Sequence, residues 1–409
     1  MVSHNRALGG YAVFAALLSA AGLPIYIHAP KFYVDEFGVS LGALGAVLFA
    51  LRLIDVVQDP LLGKLAAYSA AQRGLAVLIG ALILCLGMVG LFAIDPFFSP
   101  VLWFAVMLTL VFSAFSFLPI AFYAHGVEKA DGLEKGGHIR LARWRETGAL
   151  LGVCIASIAP FLLMSKMSTP FTGFAIGFGI FGLIALLAMR GEWSNSPQKS
   201  ELGFRVVLQD PHARRLLLIA LINSAPVAVS STLFLFFVES RLDAPGTEGV
   251  LLLLFFISAA IAAPIWGFLA QLFGIKRVLL AAMGLAGFAF ALALNLQRGD
   301  IVLFALICVA TGAAMGADLT LLPAAFASRM AKIAPNAAEG FGLWAFVSKV
   351  SLAFAAVALL PLLESRGFVS GGANTDDALW LLTLLYAGVP CVLKLLAIVM
   401  LATTQIEEG

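Results

Sequence analysis

Apolar segments long enough to cross a bilayer recur from one end of this 409-residue chain to the other. A helix spans the hydrocarbon layer with roughly 20 apolar residues, because it rises about 1.5 Å per residue. Twelve such segments lie at about 7–29, 40–62, 74–95, 100–125, 140–164, 170–190, 214–238, 247–273, 276–297, 300–328, 338–363 and 378–404. Lipid offers no partner to backbone N–H and C=O groups, so segments of this kind must be helices. The chain is 62% hydrophobic and 12% charged, with a mean hydropathy of +1.02, which excludes a soluble globular profile. An all-α polytopic membrane protein is expected, with the lipid bilayer as its surroundings and no nucleic-acid partner. Cys85, Cys154, Cys308 and Cys391 lie singly in apolar segments without metal spacing and read as packing residues. No signal peptide is expected, because Arg6 simply precedes the first span.

The placement of charge gives the orientation. An even number of spans puts both termini on one side. Of the 25 Lys and Arg residues, seventeen fall on loops of that side and five on the other, namely Lys31, Lys166, Arg241, Arg298 and Arg366. Arg52, Lys349 and Lys394 lie within spans. This positive-inside bias predicts an integral protein of the bacterial inner membrane with both termini cytoplasmic. The longest polar interruption, Gly191 to Pro211, divides the spans six and six. The expected division is therefore a first bundle at 1–190, a cytoplasmic loop at 191–213 and a second bundle at 214–409. The halves echo each other: Pro60-Leu-Leu-Gly63 at the end of span two and Pro264-Ile-Trp-Gly267 in span eight are 204 residues apart. A basic turn follows each, at Arg73-Gly74 and at Gly274-Ile-Lys-Arg277. Twelve spans, a central loop and an internal repeat indicate the major facilitator superfamily fold.

Within span two stands Arg52-Leu-Ile-Asp55-Val-Val-Gln-Asp59. On a helix Arg52, Asp55 and Asp59 share one face, at i, i+3 and i+7. Three ionisable groups in an apolar span are costly unless they pair or bind something. Two carboxylates a turn apart repel, so one must be protonated, paired with Arg52, or neutralised by a bound cation. A site whose charge depends on an ion suits a cation-coupled transporter; the alternative is a structural ion-pair cluster with no transported ion.

Other ionisable residues at membrane depth are few. Lys349 of span eleven wants an anionic partner, for which Asp55 or Asp59 is the candidate, or else it snorkels to an interface. Asp318 of span ten lies among small residues and either lines a cavity, pairs with Lys349, or is a satisfied buried carboxylate. Arg145 and Glu146 begin span five, as a gate, a cavity-facing pair, or an interfacial anchor. Lys394 of span twelve reads as a snorkelling or structural residue. Span four offers Ser113, Ser116 and Tyr123 among aromatics, and span one offers Tyr11, Pro24, Tyr26 and His28. These suit a sugar ring or an amphiphile, or are packing. Nothing resembles a nucleotide-binding loop, a zinc site or a nucleophilic triad, so an ATP-driven pump or a membrane enzyme has no support.

The run Arg52-x-x-Asp55-x-x-x-Asp59-Pro-x-x-Gly63 matches a known pattern, together with Leu23-Pro-Ile-Tyr26, Trp144-Arg-Glu-Thr-Gly148 and Gly342-Leu-Trp344 with Ser348-Lys349. It resembles the glycoside–pentoside–hexuronide:cation symporter family, of which melibiose permease is a member and to which lysophospholipid transporters are more distantly related. The resemblance runs over most of the chain. It implies that Asp55 and Asp59 are the cation-binding carboxylates and a candidate Na⁺ site. Lys349 would link cation and substrate sites, and Arg145 would lie near the sugar. Two positions depart from the family pattern. Phe117 stands where melibiose permease has a sugar-binding aspartate, and Ala114 where a threonine helps hold sodium, with Ser113 and Ser116 as neighbours. Span one has no acidic residue at membrane depth.

The expected function is symport of a small organic solute such as a sugar or glycoside, by a monomer without cofactor, with H⁺ favoured over Na⁺ as coupling ion. Asp55, Asp59, Ser113 and Ser116 form the expected cation site. Arg52, Lys349, Arg145, Glu146, Asp318, Phe117, Tyr123, Tyr26 and Trp344 are the substrate and coupling candidates. The alternatives are a lysolipid or amphiphile transporter of the same fold, and a transport-dead sensor.

Overall fold

The computed structural model describes residues 2–22, 29–133, 136–164, 167, 169–193, 204–333, 337–368 and 374–404. Among these there is no strand. The helices in chain order are α1 (Val2–Ala20), α2 (Ala29–Phe37), α3 (Leu41–Tyr68), α4 (Arg73–Phe92), α5 (Pro100–Asp131), α6 (Gly137–Met164), α7 (Pro170–Ala188), α8 (Phe204–Gln209), α9 (Pro211–Phe236), α10 (Glu248–Phe273), α11 (Ile275–Ala293), α12 (Ile301–Ile333), α13 (Ala338–Ser365), α14 (Asp376–Thr383) and α15 (Val389–Ala402). Each expected span falls on one of them, the last on α14 and α15 joined by a π-helical turn at Leu384–Gly388. Eight helical stretches among the described residues are long and apolar enough to cross a membrane. α2 and α8 were not expected. The helix of span two does not stop at Pro60 but runs on to Tyr68, and α10 likewise passes through Pro264. Membrane helices tolerate an internal proline, because neighbours and local adjustment satisfy the freed carbonyl.

Contacts divide the chain into two compact units. One comprises Met1–Val207 with Met330–Phe346, the other Leu208–Arg329 with Val347–Gly409. Both turn apolar side chains outward, as lipid-facing helices do. Leu75, Ile79, Leu82 and Leu86 are exposed along α4, and Ile176, Ile180, Leu183 and Leu187 along α7. Each set is spaced three or four residues apart and forms one stripe.

Inside a bilayer, lipid tails are as apolar as leucine, so helices associate through close packing rather than water exclusion. The first unit uses Gly148 and Gly152 of α6. A methyl group on either would fall on the backbone of Ala12 or Ala16 in α1. The second unit repeats the device: Gly312 and Gly316 of α12 lie against the backbones of Phe255 and Ala259 in α10. A third close approach joins α3 to the first turn of α13 within the first unit. A Cβ built on Gly63 would lie 3.1 Å from the Gly342 Cα, and one on Gly342 would lie 3.0 Å from the Gly63 Cα.

Polar side chains pin the ends. Arg73, which sequence placed in a loop, is buried, and its guanidinium donates to both Glu128 carboxylate oxygens at 2.8 and 2.7 Å, tying α4 to α5. Tyr11 and His125 share a buried hydrogen bond under the Trp193 ring, whose centroid lies 5.0 Å from that of His125. In the second unit the π-helical turns Phe237–Arg241 and Leu384–Gly388 meet through stacked Phe237 and Tyr386 rings, 4.1 Å between centroids.

Candidate functional site

The first unit's candidate site is built on α5, which packs against both α3 and α6. Towards α3 it presents Ser113, whose hydroxyl donates to Gln58 Oε1 at 3.3 Å. Asp59, the next residue on α3, is fully buried. Ser116, one turn from Ser113, is buried as well, and so is Phe117. A carboxylate with no exposed surface, on a helix of bilayer length, is costly in its charged form without compensation. The side chains of Arg52 and Asp55, and the whole of Tyr26, lie outside the described residues.

Towards α6, α5 presents Tyr123. Its hydroxyl donates to Glu146 Oε1 at 2.8 Å, and Arg145 Nε donates to the same oxygen at 2.7 Å. The Arg145 guanidinium lies over the Tyr123 ring, 3.6 Å from its centroid, a cation–π contact strengthened by desolvation. Arg145 and Glu146 are each 4% exposed. They are core groups and not an interfacial anchor. Phe341 of α13 also packs against the tyrosine, with ring centroids 5.1 Å apart and the rings tilted. Among the described residues, Arg145 Nη2 and Thr147 Oγ1 are buried without a hydrogen-bond partner. A guanidinium carries five N–H donors, and those on Nη2 are left without an acceptor among the described residues. Trp344 follows on α13, half-buried.

The second unit holds a different polar centre, and the sequence did not reveal it as a unit. Lys394 of α15 is 2% exposed and donates to Asp318 Oδ2 of α12 at 2.6 Å and to Asn223 Oδ1 of α9 at 2.7 Å. Asp318 thus takes Lys394 as its cation, and Lys394 does not snorkel. The clue was Asn223, an amide in the middle of span seven. Such a residue is expensive in lipid unless another helix supplies its partner. Lys349 is half-buried on α13 in this same unit.

The candidate donors suit a monovalent cation or a proton at the α3–α5 seam and a hydroxylated or anionic solute near Arg145. Among the described residues no three His, Cys, Asp or Glu side chains gather as a metal cluster.

Comparison with known proteins agrees with a transport fold. Two solved structures match over 97% of this chain and 98% of their own, at TM-scores of 0.72 and 0.70 with 14% and 15% identity. Both are a bacterial homologue of the iron transporter ferroportin in an outward-facing state, the second soaked with iron. At that identity the likeness is one of fold. No curated protein matches the chain. The family model described as MFS/sugar transport protein matches residues 8–408. With the helical architecture above, this makes the chain a member of the MFS/sugar transport protein family, an integral membrane transporter of the major facilitator superfamily fold.

Proposed function

We propose that the chain is a cation-coupled symporter of a small organic solute such as a sugar or glycoside, of the melibiose permease-like branch, working by alternating access. The observation that carries this reading is the pairing, on the two flanks of α5, of a fully buried carboxylate at Asp59 and a buried guanidinium with unspent donors at Arg145. The first suits an ion whose arrival neutralises it. The second suits a hydroxyl or carboxylate on a solute. H⁺ is favoured over Na⁺. Sodium seeks several oxygen ligands, and the Ala114 side chain offers none where the family pattern has a threonine. Asp55 and Arg52 complete the cation site, and Lys349 is the coupling lysine that the family pattern implies. A ligand shifts the inward–outward balance only by its differential affinity for the two states, so cation and solute must each prefer the same one. The halves at 1–190 and 214–409 carry the motion, in a monomer of the inner membrane with both termini cytoplasmic.

The test has two stages. Thermal unfolding of the purified protein is first followed with sugars, uronates, nucleosides and lysolipids, each in Na⁺ or choline and at two pH values. A ligand of the folded state raises apparent stability by mass action. The solute so found is then used in proteoliposome uptake. Asp59→Asn is expected to abolish accumulation against a gradient while leaving exchange at equal concentrations. Undiminished accumulation in that variant rules out the cation role.

A further inference from the structure

A cleft of about 570 Å³ opens between the start of α9 and the end of α15 in the second unit, lined by His212, Arg214, Arg215, Leu218, Met400 and Thr403. Among the described residues no acidic side chain lines it. Among the described residues neither Arg214 nor Arg215 makes an ion pair, and the nearest acidic residue in sequence, Asp210, is spent on Arg329 and on capping α9 at the Ala213 N–H. Arg215 Nη2 is steered by Thr403 Oγ1 at 2.5 Å, and Lys276 adds a further cation close by, donating to the Ala402 carbonyl at 2.7 Å. The cleft's charge therefore comes from side chains and not from the helix terminus, whose first free N–H is already used.

The same two helices carry an apolar path deeper into the bundle. On α9, Leu218, Ile222, Ala225 and Val229 follow Arg214 at helical spacing on one face. On α15, Leu393 and Val389 lie on the face of Met400 and Thr403, with Leu396 exposed between them. Ile222, Ala225, Val229, Val389 and Leu393 line a second cavity of about 400 Å³, whose wall is apolar apart from Ser351. Ser351 already donates to the Leu221 carbonyl at 3.0 Å. From Arg214 to Ile222 is about 12 Å along the helix, at roughly 1.5 Å per residue. A basic cleft at the start of α9, with an apolar groove about 12 Å further along the helix, has the polarity of a phospholipid bearing an anionic headgroup.

We propose that the α9–α15 seam is a binding site for an anionic phospholipid, its headgroup phosphate held by Arg214 and Arg215 and one acyl chain laid along Leu218, Ile222 and Leu393. Guanidinium forks match phosphate oxygens in geometry as well as charge. Basic pockets between membrane helices at the lipid surface favour anionic headgroups on the same grounds. The site belongs to the second unit, whereas Asp59 and Arg145 belong to the first, and it does not depend on the transport reading, so either can fail alone.

The test is native mass spectrometry and thermal unfolding of the full chain in detergent, titrated with phosphatidylglycerol or with phosphatidylcholine of identical acyl chains. Phosphatidylglycerol is expected to bind at least about tenfold more tightly and to raise the unfolding temperature, and Arg214→Gln with Arg215→Gln is expected to erase the preference. Should that double variant fold poorly, Arg215→Lys and Thr403→Val are expected to weaken phosphatidylglycerol selectively while leaving phosphatidylcholine unchanged. Equal binding of the two lipids, or of a neutral lysolipid, overturns the proposal. So does an equal thermal shift from inorganic phosphate or glycerol phosphate, which would make the cleft a soluble-anion site. Phosphatidylglycerol binding that appears only after removal of residues 405–409 would make Glu407 and Glu408 of the tail the native occupants, and overturns it too.

Discussion

Arg145–Glu146 in one unit and Lys394–Asp318 in the other are both buried acid–base pairs on membrane helices, built in opposite ways. Arg145 and Glu146 are neighbours on α6, and their shared partner beyond that helix is Tyr123. Lys394 and Asp318 are 76 residues apart, and with Asn223 they join α15, α12 and α9 at one point. Removing two charges from water costs several kcal/mol per ion, and their attraction offsets this only when geometry is good and other partners are satisfied. The Lys394 centre ties α15 to two other helices, which is what a cross-link of the bundle needs, although among the described residues Asp318 Oδ1 is also buried without a partner. The Arg145 centre leaves Arg145 Nη2 buried without a partner among the described residues, and on the proposed reading that donor is the one the solute takes. On the proposed reading the cross-linking pair is structural and the local pair meets the solute.

The largest expected effect therefore belongs to the pair that looks least functional. Lys394→Met leaves Asp318 buried without its cation and is expected to lower unfolding stability by about 3–5 kcal/mol. Combining it with Asp318→Asn removes the orphaned charge and should restore most of the loss. Chemical denaturation of the purified variants reads both. A stable Lys394→Met protein that fails to respond to solute would reverse the two assignments.

Arg145→Lys sharpens the contrast from the other side. It keeps the charge beside Glu146 but exchanges a planar five-donor fork for a compact ammonium. Stability is expected to stay within about 1 kcal/mol of the parent, while the solute-induced rise in unfolding temperature requires roughly tenfold more solute. The same titration checks both halves of the statement. A loss of stability as large as that of Lys394→Met, with solute affinity unchanged, would show Arg145 to be another structural pin.

Much of the architecture was legible because bilayer-length apolar runs admit few structures. The positions of α3 to α7 and of α9 to α13 follow from hydropathy alone, with Pro60 misleading only about where α3 ends. Asp59 and Arg145 stood out because charge at membrane depth is rare. What the sequence did not reveal is which charges meet. Asp318 had Lys349 as a candidate on grounds of scarcity, and nothing in either segment shows that α12 faces α15 at the level of Lys394. Arg73 was taken for a loop residue, because its bidentate partner Glu128 lies 55 positions away. Partner choice depends on helix rotation, which Gly148 against Ala12 and Gly312 against Phe255 help to set through backbone packing that no charge pattern encodes.

A further acid–base pair, Asp210–Arg329, is partly exposed and sets the lower end of the scale. Arg329 Nε and Nη2 donate to Asp210 Oδ1 and Oδ2 at 3.0 and 2.5 Å, and the Ala213 N–H adds a contact of 2.7 Å. The Arg329 hydrogen bonds, aided by that N–H, hold the Asp210 carboxyl below its ordinary value of 3.8 against the opposing effect of partial burial. A carboxyl with a depressed folded-state value contributes stability that is fully present above 3.8 and disappears as pH falls through the lower folded value. Part-exposed pairs of this kind contribute about 1 kcal/mol or less. Arg329→Gln should therefore cost about that much at neutral pH, and the gap between parent and variant should close on acidification below pH 3.8. Unfolding curves at several pH values decide the point. A gap that persists unchanged in acid would mean that Arg329 acts through packing of its stem and not through the charge on Asp210, and the part-exposed pair would then join Lys394–Asp318 as a cross-link between helices.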